Sequence, residues 1–188
     1  MLGPRPCHTG RVRPALPAVA VAVAVALLSA PASAAAYDRQ IAVGVTAGWG
    51  LAPALEMFPN HGPTAGLSAS LGFDDTWGVA VYGGWAVHPP INGGETFHVG
   101  LFGAEALYYI DILEVVPFFG VGVDALTQFD GTSWGVDFAA HLRASVDYLL
   151  SREVTIGLDI RPYILFTNLD LDPIYLTFQA RVSFLFDY

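Results

Sequence analysis

The sequence predicts an all-β fold, an eight-stranded antiparallel up-and-down transmembrane β-barrel. Three observations carry this. After residue 36 the chain divides into about eight segments rich in Val, Ile, Phe, Tyr and Gly. The last three of these alternate apolar and polar side chains with period two, the mark of a strand between two unlike environments. Large aromatics gather at both ends of the apolar faces, where an interface between lipid and water would hold them.

Residues 1–36 read as a cleaved signal peptide rather than as part of the fold. Arg5, Arg11 and Arg13 form a basic start, residues 15–30 are almost wholly Ala, Val, Leu and Pro, and Ala32-Ser33-Ala34-Ala35-Ala36 supplies small residues for cleavage after Ala34 or Ala36. The competing reading is a retained membrane helix, but the apolar stretch is near the lower limit for spanning. Cys7, the single cysteine, precedes that stretch, so residues 37–188 hold no thiol, disulfide or Cys-based metal site.

Residues 37–188 are long enough for one domain, expected to be the barrel. They carry all 17 acidic residues and only five basic ones, Arg39, Arg143, Arg152, Arg161 and Arg181. Such a surface argues against nucleic-acid binding. The chain is 54% apolar, yet no run after residue 36 approaches the about 20 residues of a spanning helix. That leaves a large-cored soluble β protein or a barrel whose outside meets lipid.

The segments lie near 39–50, 63–73, 76–88, 96–110, 115–127, 134–149, 153–167 and 174–188, most of them at least the roughly 9–11 residues that cross a bilayer as tilted strands. In the first, Ile41, Val43, Val45, Ala47 and Trp49 oppose Ala42, Gly44, Thr46 and Gly48. In the second, Leu67, Ala69, Leu71 and Phe73 oppose Gly66, Ser68, Ser70 and Gly72. Segment 96–110 does not alternate cleanly: Glu105 shares a phase with Val99, Leu101 and Leu107, which predicts a bulge or a mixed interior. The sixth segment sets Val136, Phe138, Leu142 and Val146 against Asp137, His141, Arg143, Ser145 and Asp147. The seventh sets Ile156, Leu158 and Ile160 against Thr155, Asp159 and Arg161, and the eighth sets Phe178, Val182 and Phe184 against Gln179, Arg181 and Ser183.

Alternation alone leaves the apolar face inside or outside. The polar face argues for an inverted protein, because it is small or able to pair internally, and a water-facing surface would carry many Lys and Glu. The girdle expected at one end is Trp49, Trp85, Trp134 and Phe166, and at the other Phe73, Trp77, Tyr148 and Tyr188. Connections alternate too. Asp74-Asp75, 111–114 and 150–152 are tight, whereas 51–62, 89–95, 128–133 and 168–173 are longer. Even strand number with short turns on one side is outer-membrane topology, with both chain ends on the periplasmic side.

The last eight residues, with Arg181, Ser183, Phe186 and Tyr188 in the key places, look like the assembly signal of bacterial outer-membrane proteins, with Ser for the usual Gly and Tyr for the commoner final Phe. Over 37–188 the chain resembles the small eight-stranded OmpA-like and OmpW-like barrels. The resemblance implies export to the bacterial outer membrane, contact with its lipid and insertion by the barrel assembly machinery. It assigns no functional residue.

Eight strands enclose an interior that side chains fill, so no wide aqueous channel is expected. The sharpest interior feature is Asp159 between Arg143 and Arg181. A tight hairpin centred on Ser151 would put Arg143 directly across from Asp159, and a loop centred near Asp170 would put Arg181 across from it on the other side. Arg161, His141, Asp137, Asp124 and Glu105 could extend the network. It reads as a charge-neutralising plug, with a gated ion path as the alternative. The loop acids Glu56, Glu95, Asp130, Asp170 and Asp172 could bind Ca²⁺ or Mg²⁺, though they lack a recognisable spacing and read better as a solvated rim. His61, His88, His98 and His141 with Ser133 or Ser145 form no catalytic motif. Gly83-Gly84 and Gly120-Val121-Gly122 lack the following helix that a nucleotide loop needs. No enzyme activity, cofactor or metal site is expected. The functional expectation is a structural or surface-interaction barrel with a plugged interior. Three alternatives stay open: narrow passive uptake of a small or hydrophobic molecule, a lipid-modifying enzyme, and a soluble periplasmic barrel holding an apolar ligand.

Overall fold

A computed structural model gives the structure of the protein and describes residues 37–52, 61–90, 95–110, 114–129, 131–167 and 174–188. The expected leader, 1–36, lies outside the described residues, as do Glu56, Asp130, Asp170 and Asp172.

Eight strands follow one another: β1 (Gln40–Leu51), β2 (His61–Gly72), β3 (Trp77–His88), β4 (Phe97–Tyr109), β5 (Val115–Phe129), β6 (Trp134–Leu149), β7 (Val154–Leu165) and β8 (Ile174–Asp187). Each pairs antiparallel with its neighbours, and β8 returns to β1, closing the barrel. Closure removes the sheet edge, whose unpaired N–H and C=O groups could find no partner in hydrocarbon. Among the described residues no helix is long and apolar enough to cross a membrane.

The greasy faces point outward. Leu142 is 59% exposed, Leu158 63% and Phe178 42%, while their chain neighbours Arg143, Asp159 and Gln179 are buried. A soluble core would reverse this. The outward aliphatic band runs around the wall through Val45, Leu67, Val81, Val123, Leu142 and Leu158.

β4 settles the question raised by Glu105. Its register to β3 and β5 runs without a break, so there is no bulge. The interior is mixed instead: Val99, Leu101, Glu105, Leu107 and Tyr109 all point inward and are buried. The β6–β7 ladder skips Leu142 and Arg143, opposite the stretch where Pro162 offers no N–H to a partner.

Two hairpin registers differ from expectation. Ser145, not Arg143, stands across from Asp159, and Gln179, not Arg181, faces Asp159 on β8, while Arg181 pairs with Gly157. Each slip is two residues. Because side chains alternate with period two, such a slip moves a residue along the wall but leaves it on the same face.

Candidate functional site

The lumen is layered. Its middle is ionic, and the layers above and below are apolar and aromatic. The lower layer, at the short-turn end, contains Tyr37, Leu107, Tyr109, Phe118, Leu149 and Leu185. The upper layer contains Phe97, Leu101, Leu126, Tyr163, Leu165 and Tyr175.

In the middle layer the two-residue slips turn opposed pairs into diagonal ones. The Arg143 guanidinium reaches down β6 to Asp159, with its Nη2 at 2.8 Å and Nε at 3.1 Å from Oδ1. Its Nη1 donates to Glu105 on β4 at 2.6 Å. Arg181 donates to Asp147 and lies 3.4 Å from Asp159. Asp159 therefore sits between two guanidiniums, and Ser145 donates to it as well. Arg161 lies 3.5 Å from Glu105 and 3.9 Å above the Tyr82 ring. Arg143 and Arg181 both lie over Phe118, at 4.7 and 4.9 Å. All of these charged groups are buried, so each is screened little by salt and depends on its partners.

His141 links the network to a second acid. Its Nδ1 is 2.6 Å from Asp124, and its Nε2 is 2.9 Å from Glu105. Tyr82 donates to Asp124 as well. With both ring nitrogens facing carboxylates, both contacts are hydrogen bonds only when both nitrogens carry hydrogen. In that form His141 is a fourth cation beside Arg143, Arg161 and Arg181, and matches the four carboxylates of Glu105, Asp124, Asp147 and Asp159.

Asp137 stands apart from the network expected to include it. It lies half-buried toward the long-loop end, where it accepts from Gln128 and Thr167. Conversely, sequence reasoning left out Asp147, Tyr82 and Tyr37. Alternation sets Asp147 on the polar face of β6 with Arg143 and Ser145, but gives it no partner in the network. Tyr82 faces inward among small residues on β3. Tyr37 precedes β1 and had no strand pattern to reveal it. Its ring stacks on Tyr109 with centroids 4.4 Å apart, and its hydroxyl donates to Asp147. Burial first, then the Asp147 carboxylate, hold this phenol well above the usual tyrosine range, so it stays a donor.

Two voids between the ionic side chains and the small residues of β1–β3 are about 10 Å³ each, and they share Ser68 as a lining residue. A third, beside Phe97 and Tyr175, is about 20 Å³. Gly157 makes room for the network: a Cβ there would collide with the Asp147 carboxylate.

The expected girdle residues stand at the strand ends. Trp49, Trp85, Trp134 and Phe166 project outward at the long-loop end, and Phe73, Trp77 and Tyr188 at the other. Tyr148 is half-buried and donates to Glu114. Of the expected assembly residues, Phe186 and Tyr188 face outward, while Arg181 and Ser183 face the lumen. Trp49 and Trp85 donate their indole N–H groups to His61 and His98, at 3.3 and 3.2 Å. His88 lies 3.2 Å from the Tyr175 hydroxyl. Among the described residues no group of three His, Cys, Asp or Glu is placed to hold a metal ion. Glu95, the one described acid of those weighed for divalent cations, is exposed.

A closed eight-stranded barrel, greasy outside and ion-paired inside, defines a class: small barrels built for a lipid bilayer. Residues 20–186 match the family model described as outer membrane protein beta-barrel domain, and the chain belongs to that family. The family places it in the bacterial outer membrane. Solved structures share the fold. Neisserial surface protein A is 16% identical with a TM-score of 0.61, covering 82% of this chain and 99% of its own. The outer membrane protein OprG from Pseudomonas aeruginosa is 12% identical with a TM-score of 0.58, covering 81% and 99%. Ail, the attachment invasion locus protein of Yersinia pestis, is 11% identical with a TM-score of 0.54, covering 79% and 99%. No curated protein matches the sequence.

Proposed function

We propose that this protein is a sealed outer-membrane barrel, exported through a cleaved leader of residues 1–36. Its C-terminal strand addresses it to the barrel assembly machinery, and it serves a structural or surface-contact role rather than transport or catalysis. The observation that carries this is the buried Asp147–Arg181–Asp159–Arg143–Glu105–His141–Asp124 chain, which fills the lumen midway between two apolar layers. An ion entering that layer would have to displace a guanidinium from a carboxylate in a weakly hydrated interior, where such pairs are costly to break. The end of the barrel that carries Trp49, Trp85 and Trp134 is then the face offered to partners.

A narrow conducting path is the second reading, and one observation favours it. Asp159 Oδ2, Arg161 Nε and Arg181 Nε are buried without a protein partner, and each of the two arginines lines one of the two small voids, both of which Ser68 also lines. Recording from single molecules in planar bilayers separates the readings. The sealed barrel gives no steady current, and Asp159→Asn leaves it silent. A steady current that Asp159→Asn alters would replace the seal with a gated path.

A further inference from the structure

We propose that the periplasmic mouth of the lumen is a phenol-binding site, which the chain fills with its own Tyr37. The inference deepens the sealed-barrel reading and rests on it.

The site is built from several elements. Tyr109 of β4 offers a ring face parallel to Tyr37 within 9°, and Phe118 of β5 closes the side at 6.5 Å. Asp147 of β6 accepts from the phenol and is itself held by Arg181 of β8. Gly72 of β2 leaves the notch for the Tyr37 backbone, since a Cβ there would collide with the Tyr37 carbonyl oxygen. The chain turns sharply to deliver the ring. Asp38 and Arg39 form a turn, and Arg39 adopts φ 52, a left-handed conformation uncommon for a residue other than glycine. The C-terminus locks the same corner: Tyr188 donates its N–H to the Arg39 carbonyl at 3.3 Å and its hydroxyl to the Gly72 carbonyl at 3.1 Å. The result is a Tyr37 only 3% exposed although it lies outside every strand.

This arrangement does more than fill space. The stopper is the nearest aromatic to the expected cleavage sites after Ala34 or Ala36, so in the exported protein it sits at or beside the chain end. A chain-end ring can leave its pocket without breaking any rung of the barrel. The site has the chemistry of a phenol receptor: two aromatic walls, and a carboxylate placed to accept one O–H.

The test uses thiol labelling, which the sequence makes clean because residues 37–188 lack cysteine. Ser70 and Tyr37 line the same void. Ser70→Cys, combined with Cys7→Ser, places one thiol behind the stopper in the full-length barrel purified from membranes. With Tyr37 in place, a charged methanethiosulfonate reagent labels it slowly. Adding Tyr37→Ala is expected to raise the labelling rate about tenfold or more, and Tyr37→Phe, which keeps the stack and loses the hydrogen bond, by less. Phenol added to the Tyr37→Ala protein should slow labelling again, whereas cyclohexanol should not. Equal rates with and without Tyr37, or no effect of phenol, overturn the proposal. If Tyr37→Ala does not fold, the Tyr37→Phe rate still decides, because an unchanged rate removes any role for the hydrogen bond to Asp147. Current through the unsubstituted protein would refute the sealed barrel and leave the labelling result to stand on its own.

Discussion

Arg143→Met is expected to lower the stability of the folded barrel by about 3–5 kcal/mol, the cost typical of breaking a buried ion pair by removing one partner. Arg143 is the only residue that binds both Glu105 and Asp159 among the ion pairs of the described residues, at 2.6 and 2.8 Å. Methionine keeps much of the packing over Phe118 but leaves two buried carboxylates undercompensated. Glu105 retains His141 and a 3.5 Å contact with Arg161, and Asp159 retains a 3.4 Å contact with Arg181. Equilibrium urea unfolding from phospholipid vesicles reads the loss. The double variant Arg143→Met with Glu105→Gln should recover part of it, because one of the stranded charges is gone. Raising salt should change little, since these groups are shielded from the bulk. A loss under about 1 kcal/mol, or additive effects of the two substitutions, would mean that the lumen is hydrated enough for these charges to behave as surface charges.

The faces of the strands were legible in the sequence, and the contacts made across them were not. In β6, β7 and β8 the alternation of Leu142 with Arg143, Leu158 with Asp159 and Phe178 with Gln179 is strict, and each residue lies on the side that alternation assigns. The partner of Asp159 was misplaced by two residues because turn length, not pattern, sets register, and the β6–β7 turn is centred one residue later than Ser151. Long guanidinium stems then recovered diagonally what the register had separated. β4 was ambiguous because a lumen that is apolar at both ends and ionic in the middle cannot show one polar face along a whole strand. Asp137 has the right phase for the network but the wrong height, a coordinate that alternation does not carry. Tyr37 was invisible for a different reason. Its place depends on the Arg39 turn, the Gly72 notch and Asp147, the last of them 110 residues along the chain from Tyr37.

Leu158→Arg is expected to cost about 2–4 kcal/mol in lipid, the penalty for a basic side chain on the outer face of a barrel near the bilayer midplane. Leu158 lies in the middle of β7, opposite Val146 on β6 and Ala180 on β8, and its side chain points outward. The number discriminates between environments. On the surface of a water-soluble protein a leucine 63% exposed could become arginine with a change within about 0.5 kcal/mol, because the guanidinium would simply be hydrated. In hydrocarbon the same group has no water to hydrate it. Trp134→Arg supplies the internal control. Trp134 is 67% exposed on the same outward face but at the first position of β6, where an arginine can reach the headgroups and the expected cost falls to about 0–1 kcal/mol. Urea midpoints measured in vesicles for the two variants should therefore separate, with only Leu158→Arg shifted strongly. Equal midpoints would place Leu158 and Trp134 in the same solvent, and the band of exposed aliphatic side chains around the barrel would then have to face something other than a bilayer.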